Sequence, residues 1–92
     1  MSWFVRLSKR ARKQRDDLPE PVKVKLSILI QEIEIVGPVR GNWKNYIKLG
    51  PGKHHCHLKS GRPTYVVCWE EVKNTINIVE ISYVGTHEKA PY

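Results

Sequence analysis

Three runs in the C-terminal half of the chain, Lys53–Lys59, residues 62–72 and residues 75–84, carry apolar side chains at every second position. That period of two restricts the fold more than any other feature. Successive side chains of a strand leave on opposite faces, so each run has one face for a core and one for solvent. Ser60-Gly61 reads as a two-residue hairpin turn that pairs Lys59 with Arg62. Lys73-Asn74-Thr75 reads as the second turn, and three consecutive strands joined this way form an antiparallel meander. In this register Cys56, Leu58, Tyr65, Val67 and Trp69 share one face, which Val79, Ile81 and Tyr83 extend. The other face carries His55, His57, Lys59, Arg62 and Thr64.

The N-terminal half supplies what covers the core face. "SWFVRL" is a short strand, and Ser8 stands where a helix N-cap belongs. "KRARKQRDDL" has no Gly, Pro or β-branched residue and predicts a helix. Pro19-Glu20-Pro21 ends it and starts another, along which Val22, Leu26, Leu29, Ile30 and Ile33 make one apolar stripe. Val24, Ile28 and Ile35 lie off that stripe and either thicken the buried face or await a partner. Gly37-Pro38 closes the helix, and the stretch up to Lys53, with Trp43 and Tyr46, reads as a loop. The expectation is an α+β chain of order β-α-α-β-β-β, with two helices on one face of an antiparallel sheet. Its 92 residues make a single domain, 1–92.

Charge points to the partner. Sixteen Lys and Arg against nine Asp and Glu leave a net +7, and such an excess attracts polyanions, nucleic acid foremost. The plainer reading is a basic surface that keeps the chain in solution. The same two readings apply to Arg10, Arg12, Lys13 and Arg15 on the first helix, which face either water or phosphate. No apolar run approaches the roughly 18 residues of a membrane span, and nothing resembles a secretory signal, so a cytoplasmic protein is expected. Its two cysteines are then expected to be reduced.

The histidines raise the question of chemistry. Zinc sites need several convergent nitrogen or sulfur ligands. Alternation sends Cys56 away from His55 and His57, whose neighbours are cationic, so no metal is assigned. A Cys56–Cys68 disulfide fails for the same reason, since the two sulfurs leave on opposite faces. What remains is metal-free chemistry or binding. Cleavage of RNA without a metal takes a base for the 2′-hydroxyl, cations for the phosphate and an acid for the leaving 5′-oxygen. Histidine suits both proton roles near neutral pH, and Lys59 and Arg62 suit the phosphate.

The element order, the aromatics before "KLG", the strand "YVVCW" and the ending "YVGTHEKAPY" together resemble the RelE branch of the RelE/ParE superfamily, the toxins of bacterial type II toxin–antitoxin modules. The resemblance spans nearly the whole chain and is most specific in the last two strands and the tail. It implies a metal-independent, cofactor-free endoribonuclease that enters the ribosomal A site and cuts mRNA there. The 2′-hydroxyl is the nucleophile, and a 2′,3′-cyclic phosphate and a 5′-hydroxyl result. The two lysines of the family's K-x-K strand fall on His55 and His57, and the arginine after the hairpin turn falls on Arg62. The arginine after the "VG" pair falls on His87, and the tyrosine of the terminal segment falls on Tyr92. Histidine in place of lysine and arginine departs from the family pattern. On this reading His55 or His57 is the base, and His87 is the acid or a phosphate ligand. Lys53, Lys59 and Arg62 hold phosphate, Tyr92 stacks on a base, and the cations of the first helix grip ribosomal RNA. The implied partners are mRNA, the ribosome and a cognate antitoxin landing on Val24, Ile28 and Ile35. Two other readings stand beside it: a ParE-like inhibitor of DNA gyrase, and an RNA- or protein-binding module without chemistry.

Overall fold

A computed structural model describes residues 2–92. Strand β1 (Phe4–Leu7) leads into helix α1 (Lys9–Asp16) and helix α2 (Glu20–Val36). Strands β2 (Ile47–Gly50), β3 (Lys53–Lys59), β4 (Tyr65–Glu71) and β5 (Ile78–Thr86) follow, and a short 3-10 turn (His87–Lys89) begins the tail. The Ser8 hydroxyl accepts the Ala11 N–H at 3.1 Å and so caps α1. At the far end of α2, the Gly37 N–H donates to the Ile33 carbonyl at 2.9 Å. Gly37 has φ +99°, and a Cβ there would sit 3.1 Å from the Trp3 indole nitrogen, so both backbone and space require glycine.

The apolar stripe of α2 lies against the sheet as expected: Val22, Leu26, Leu29 and Ile33 are buried with Cys56, Leu58, Val67, Trp69, Val79 and Ile81. The Trp69 indole N–H donates to the buried Pro38 carbonyl at 3.0 Å, tying the floor of this core to the end of α2. Val24, Ile28 and Ile35 stay outside it, 54%, 45% and 74% exposed, which removes them from the core.

Strand order is β1-β5-β4-β3-β2, and the sheet is mixed where a purely antiparallel one was expected. β1 runs parallel to β5, from Phe4 opposite Ile78 to Leu7 opposite Ile81. The chain returns to the sheet only after two helices, and a strand's own residues do not state its partner. Beyond β1 the open edge of β5 is sealed by α1 and its cap. Ser8 N–H donates to the Ile81 carbonyl, Arg10 to the Ser82 carbonyl, and the Val84 N–H to the Gln14 side chain. The fifth strand, β2, occupies part of the stretch read as loop. It is four residues long, mostly exposed and ends in glycine, so it carries no alternation.

The β3–β4 connection is longer than a two-residue turn. Residues 60–64 form it, with Gly61 at φ +138° and the Thr64 hydroxyl bonded to both the N–H and the carbonyl of Gly61. Cys56 therefore pairs with Val67 and His55 with Cys68, two positions from the expected register. A shift of two leaves every side chain on its expected face. Thr64 and Arg62 leave the strand and join the loop. In β5 the expectation fails at one residue. Cys68 pairs with Tyr83 but Trp69 with Ile81, so Ser82 is an extra residue. This bulge turns Tyr83 to the open face, and Val84 takes the core position.

Candidate functional site

Alternation along β3 places His55 and His57 on the face away from the helices, above a small cluster of Val66, Cys68 and Tyr83 with Ala90 packed on it. The tail folds onto the same face. The His87 N–H donates to the Thr64 carbonyl at 2.8 Å, tying the end of β5 to the β3–β4 loop. Tyr83 braces this corner, its hydroxyl donating to the Thr86 carbonyl at 2.7 Å. The brace passes directly over Gly85, where a Cβ would lie 2.8 Å from the Tyr83 oxygen.

Four rings then meet. His55 and His57 have centroids 5.5 Å apart, His57 and His87 5.7 Å, His87 and Tyr92 6.0 Å, and Tyr92 and His55 4.5 Å, all edge to face. The Tyr92 hydroxyl and His55 Nε2 share a hydrogen bond of 2.5 Å. Residues expected to act together are thus brought together, but not equally exposed. His55 is 3% exposed, and its Nδ1 has no partner among the described residues. His57 is half-buried and His87 exposed.

Burial, and then the neighbouring His57 and His87, push the His55 pKa down to about 4. His57 is lowered too, by burial first and then by His87 and Lys44. Burial pushes the Tyr92 phenol up to about 12, so it keeps its proton. At neutral pH His55 and His57 are therefore neutral bases.

The cations divide among separate hollows. Arg62 shares an open cleft of about 510 Å³ with His57, His87 and Thr64. Lys59 lines a second cleft of about 490 Å³ that also touches His57. Lys53 stands in a third hollow beside Tyr92. On α1, Arg10 lies 5.7 Å over the Tyr83 ring while bonding Ser82, and Arg15 is paired with Asp16 at 3.5 Å. Arg12 and Lys13 face water. Cys56 and Cys68 are free and buried on opposite faces, their thiols pushed by burial to about 12 and about 11.

Sequence reasoning missed Lys44, whose carbonyl accepts the His57 N–H at 2.8 Å. It also gave no place to His54, although the alternation that turns His55 outward turns His54 inward. His54 is fully buried against Trp69, bonded to the Tyr46 hydroxyl at 2.6 Å and to Glu71 at 2.9 Å.

No protein-family model and no curated protein matches the chain. Among solved structures, it is similar to a double arginine-to-alanine mutant of the E. coli toxin RelE in the free state. That match has TM-score 0.74 and 20% identity, over 96% of this chain and 86% of that one. It is also similar to RelE of the archaeal RelE–RelB complex from Pyrococcus horikoshii OT3, with TM-score 0.68 and 15% identity, over 98% of this chain and 100% of that one. Two helices against one face of a five-stranded mixed sheet, matched over 86% of one neighbour and 100% of the other, give this chain the RelE fold.

Proposed function

We propose that the chain is the toxin of a type II toxin–antitoxin module and acts in the cytoplasm as a metal-independent, ribosome-dependent mRNA endoribonuclease. The fold supports the coarser half of this reading, since one neighbour is described as a toxin and the other as a complex with RelB. The observation that carries the chemistry is the meeting of His57, His87 and Arg62 in one open cleft.

The roles follow from exposure and charge. His57, kept neutral by its surroundings, takes the proton of the 2′-hydroxyl. The 2′-oxygen bonds to phosphorus, the bond to the 5′-oxygen breaks, and His87, in the role of general acid, supplies the proton to that leaving oxygen. A 2′,3′-cyclic phosphate and a 5′-hydroxyl remain. The Arg62 guanidinium holds the non-bridging oxygens and stabilises their charge. We assign His55, buried behind Tyr92, a positioning role, and its burial favours the more exposed His57 as the base. The half-exposed Tyr92 ring offers a stacking surface to a base. The antitoxin is proposed to land on exposed Val24, Ile28 and Ile35 of α2.

The test separates rate from binding. His57→Ala and His87→Ala should each lower mRNA cleavage on translating ribosomes by about 10²-fold or more while ribosome binding stays within about threefold. Parallel, gradual losses of binding and cleavage would instead mark a binding module.

A further inference from the structure

The second cleft that touches His57 has no role in the chemistry above. Lys25 and Ile28 of α2, Trp43 and Lys44 of the loop between α2 and β2, and Lys59 of β3 line it. Three lysines thus line one cleft, each of them exposed. Among the described residues, the ion pairs are Arg6–Glu80, Arg15–Asp16, Lys23–Glu20, Arg40–Glu32 and His54–Glu71, so none of the three lysines has an acidic partner. The acid on the adjoining helix, Glu32, is already engaged. One of its oxygens accepts from the Trp43 indole at 2.9 Å, from Asn42 at 3.0 Å and from Arg40 at 3.2 Å. Those bonds hold the loop in place, and the Lys44 carbonyl closes it onto the His57 N–H. The lysines are therefore presented by a braced loop, a helix and a strand. With no acid paired to them, they give this cleft a net positive charge that attracts an anion.

The walls specify which anion. Half-buried Trp43 and exposed Ile28 give an apolar surface beside the ammonium groups. Phosphate on cations with a base against an apolar wall is how single strands are held. His57 is common to this cleft and to the one with Arg62 and His87, so one strand crossing His57 enters both.

The geometry points to a second nucleotide subsite: Lys25, Lys44, Lys59 and Trp43 bind the phosphate and base next to the linkage that lies over His57. The ligand is single-stranded RNA held across both clefts, and a dinucleotide fills only the first. The inference rests on the endoribonuclease reading for which linkage is cut, but its test needs no cleavage.

The probe is an RNA dinucleotide and a tetranucleotide, each 2′-deoxy at the central linkage so that it cannot be cut, titrated into the full chain by NMR. Lys25→Ala/Lys44→Ala should weaken the tetranucleotide about tenfold and flatten its salt dependence by one to two phosphate contacts, about 0.7 in log–log slope each. The dinucleotide should change less than about twofold, and Lys73→Ala, in the β4–β5 turn, should change neither. Lys44→Gln, which keeps the stem and loses the charge, should give a partial loss in the same direction. Equal losses for both lengths, or no loss, would overturn the subsite. So would unchanged RNA binding with weakened binding of polyglutamate, which would make the cleft a protein-docking site. Should the chain bind the tetranucleotide as described and yet cut no RNA on ribosomes, the subsite stands and the nuclease reading falls.

Discussion

His55 makes the stability of the folded chain depend on pH in a calculable way. The ring is 3% exposed, so its interactions need no reduction for solvent screening, and its pKa is pushed down to about 4. In the unfolded chain it returns to about 6.5. Above that value both states are neutral and the ring contributes no pH dependence. As pH falls below it, the unfolded chain takes up a proton that the folded chain refuses, so stability is lost with falling pH until the folded ring also titrates near 4. Between pH 7 and pH 5 the loss is about 2 kcal/mol, and it reaches roughly 3 kcal/mol once both states are protonated. For a chain of this length, 2 kcal/mol lowers the melting temperature by about 8–16 °C. Urea unfolding at pH 7 and pH 5 measures it. His57 shifts in the same direction, so the decisive comparison is with His55→Gln, which is uncharged throughout. Its unfolding free energy should fall between the two pH values by about 2 kcal/mol less than that of the parent. Equal slopes for the two proteins would refute the burial argument for His55.

Three further outcomes follow from the geometry. Glu32→Ala removes the acceptor shared by Arg40, Asn42 and Trp43, and should cost about 2 kcal/mol in urea unfolding while loosening the loop that presents Lys44. Gly85→Ala drives a methyl group into the Tyr83 hydroxyl, and should cost about 1–3 kcal/mol and lower cleavage further than stability alone explains, because Tyr83 braces the corner that places His87. Cleavage on ribosomes, assayed after chelation of free divalent ions and return of only the magnesium that ribosomes need, should keep its rate when trace transition metals are stripped, since in the proposed mechanism side chains supply both proton transfers.

The sheet faces were legible because strand alternation is local. A pairing error of two positions moved Arg62 and Thr64 into a loop yet left His55 and His57 on the correct side. The bulge at Ser82 was not legible, since an extra residue looks like any other until the partner strand is known, and it carried Tyr83 from the core to the site. The α2 stripe was read correctly from its spacing. The short edge strand β2 and the parallel pairing of β1 left no periodic trace. Charge and histidine content pointed to an anion-binding face, and the tail residues His87 and Tyr92 were placed beside it only through the family resemblance. What separates His55 from His57 is how the tail lies: Tyr92 covers one ring and leaves the other open. The Lys25–Lys44–Lys59 cleft depends on contacts from Glu32 to a loop about ten residues away, which no local pattern shows.

The most direct test of the nuclease assignment is to map RNA ends in bacteria after controlled expression of the chain. The account predicts growth arrest together with new breaks inside translated messages. These should leave 2′,3′-cyclic phosphate and 5′-hydroxyl termini that are absent when His57→Ala is expressed at the same level. Normal growth with intact messages, or arrest accompanied by gyrase-dependent DNA damage and no such termini, would contradict it.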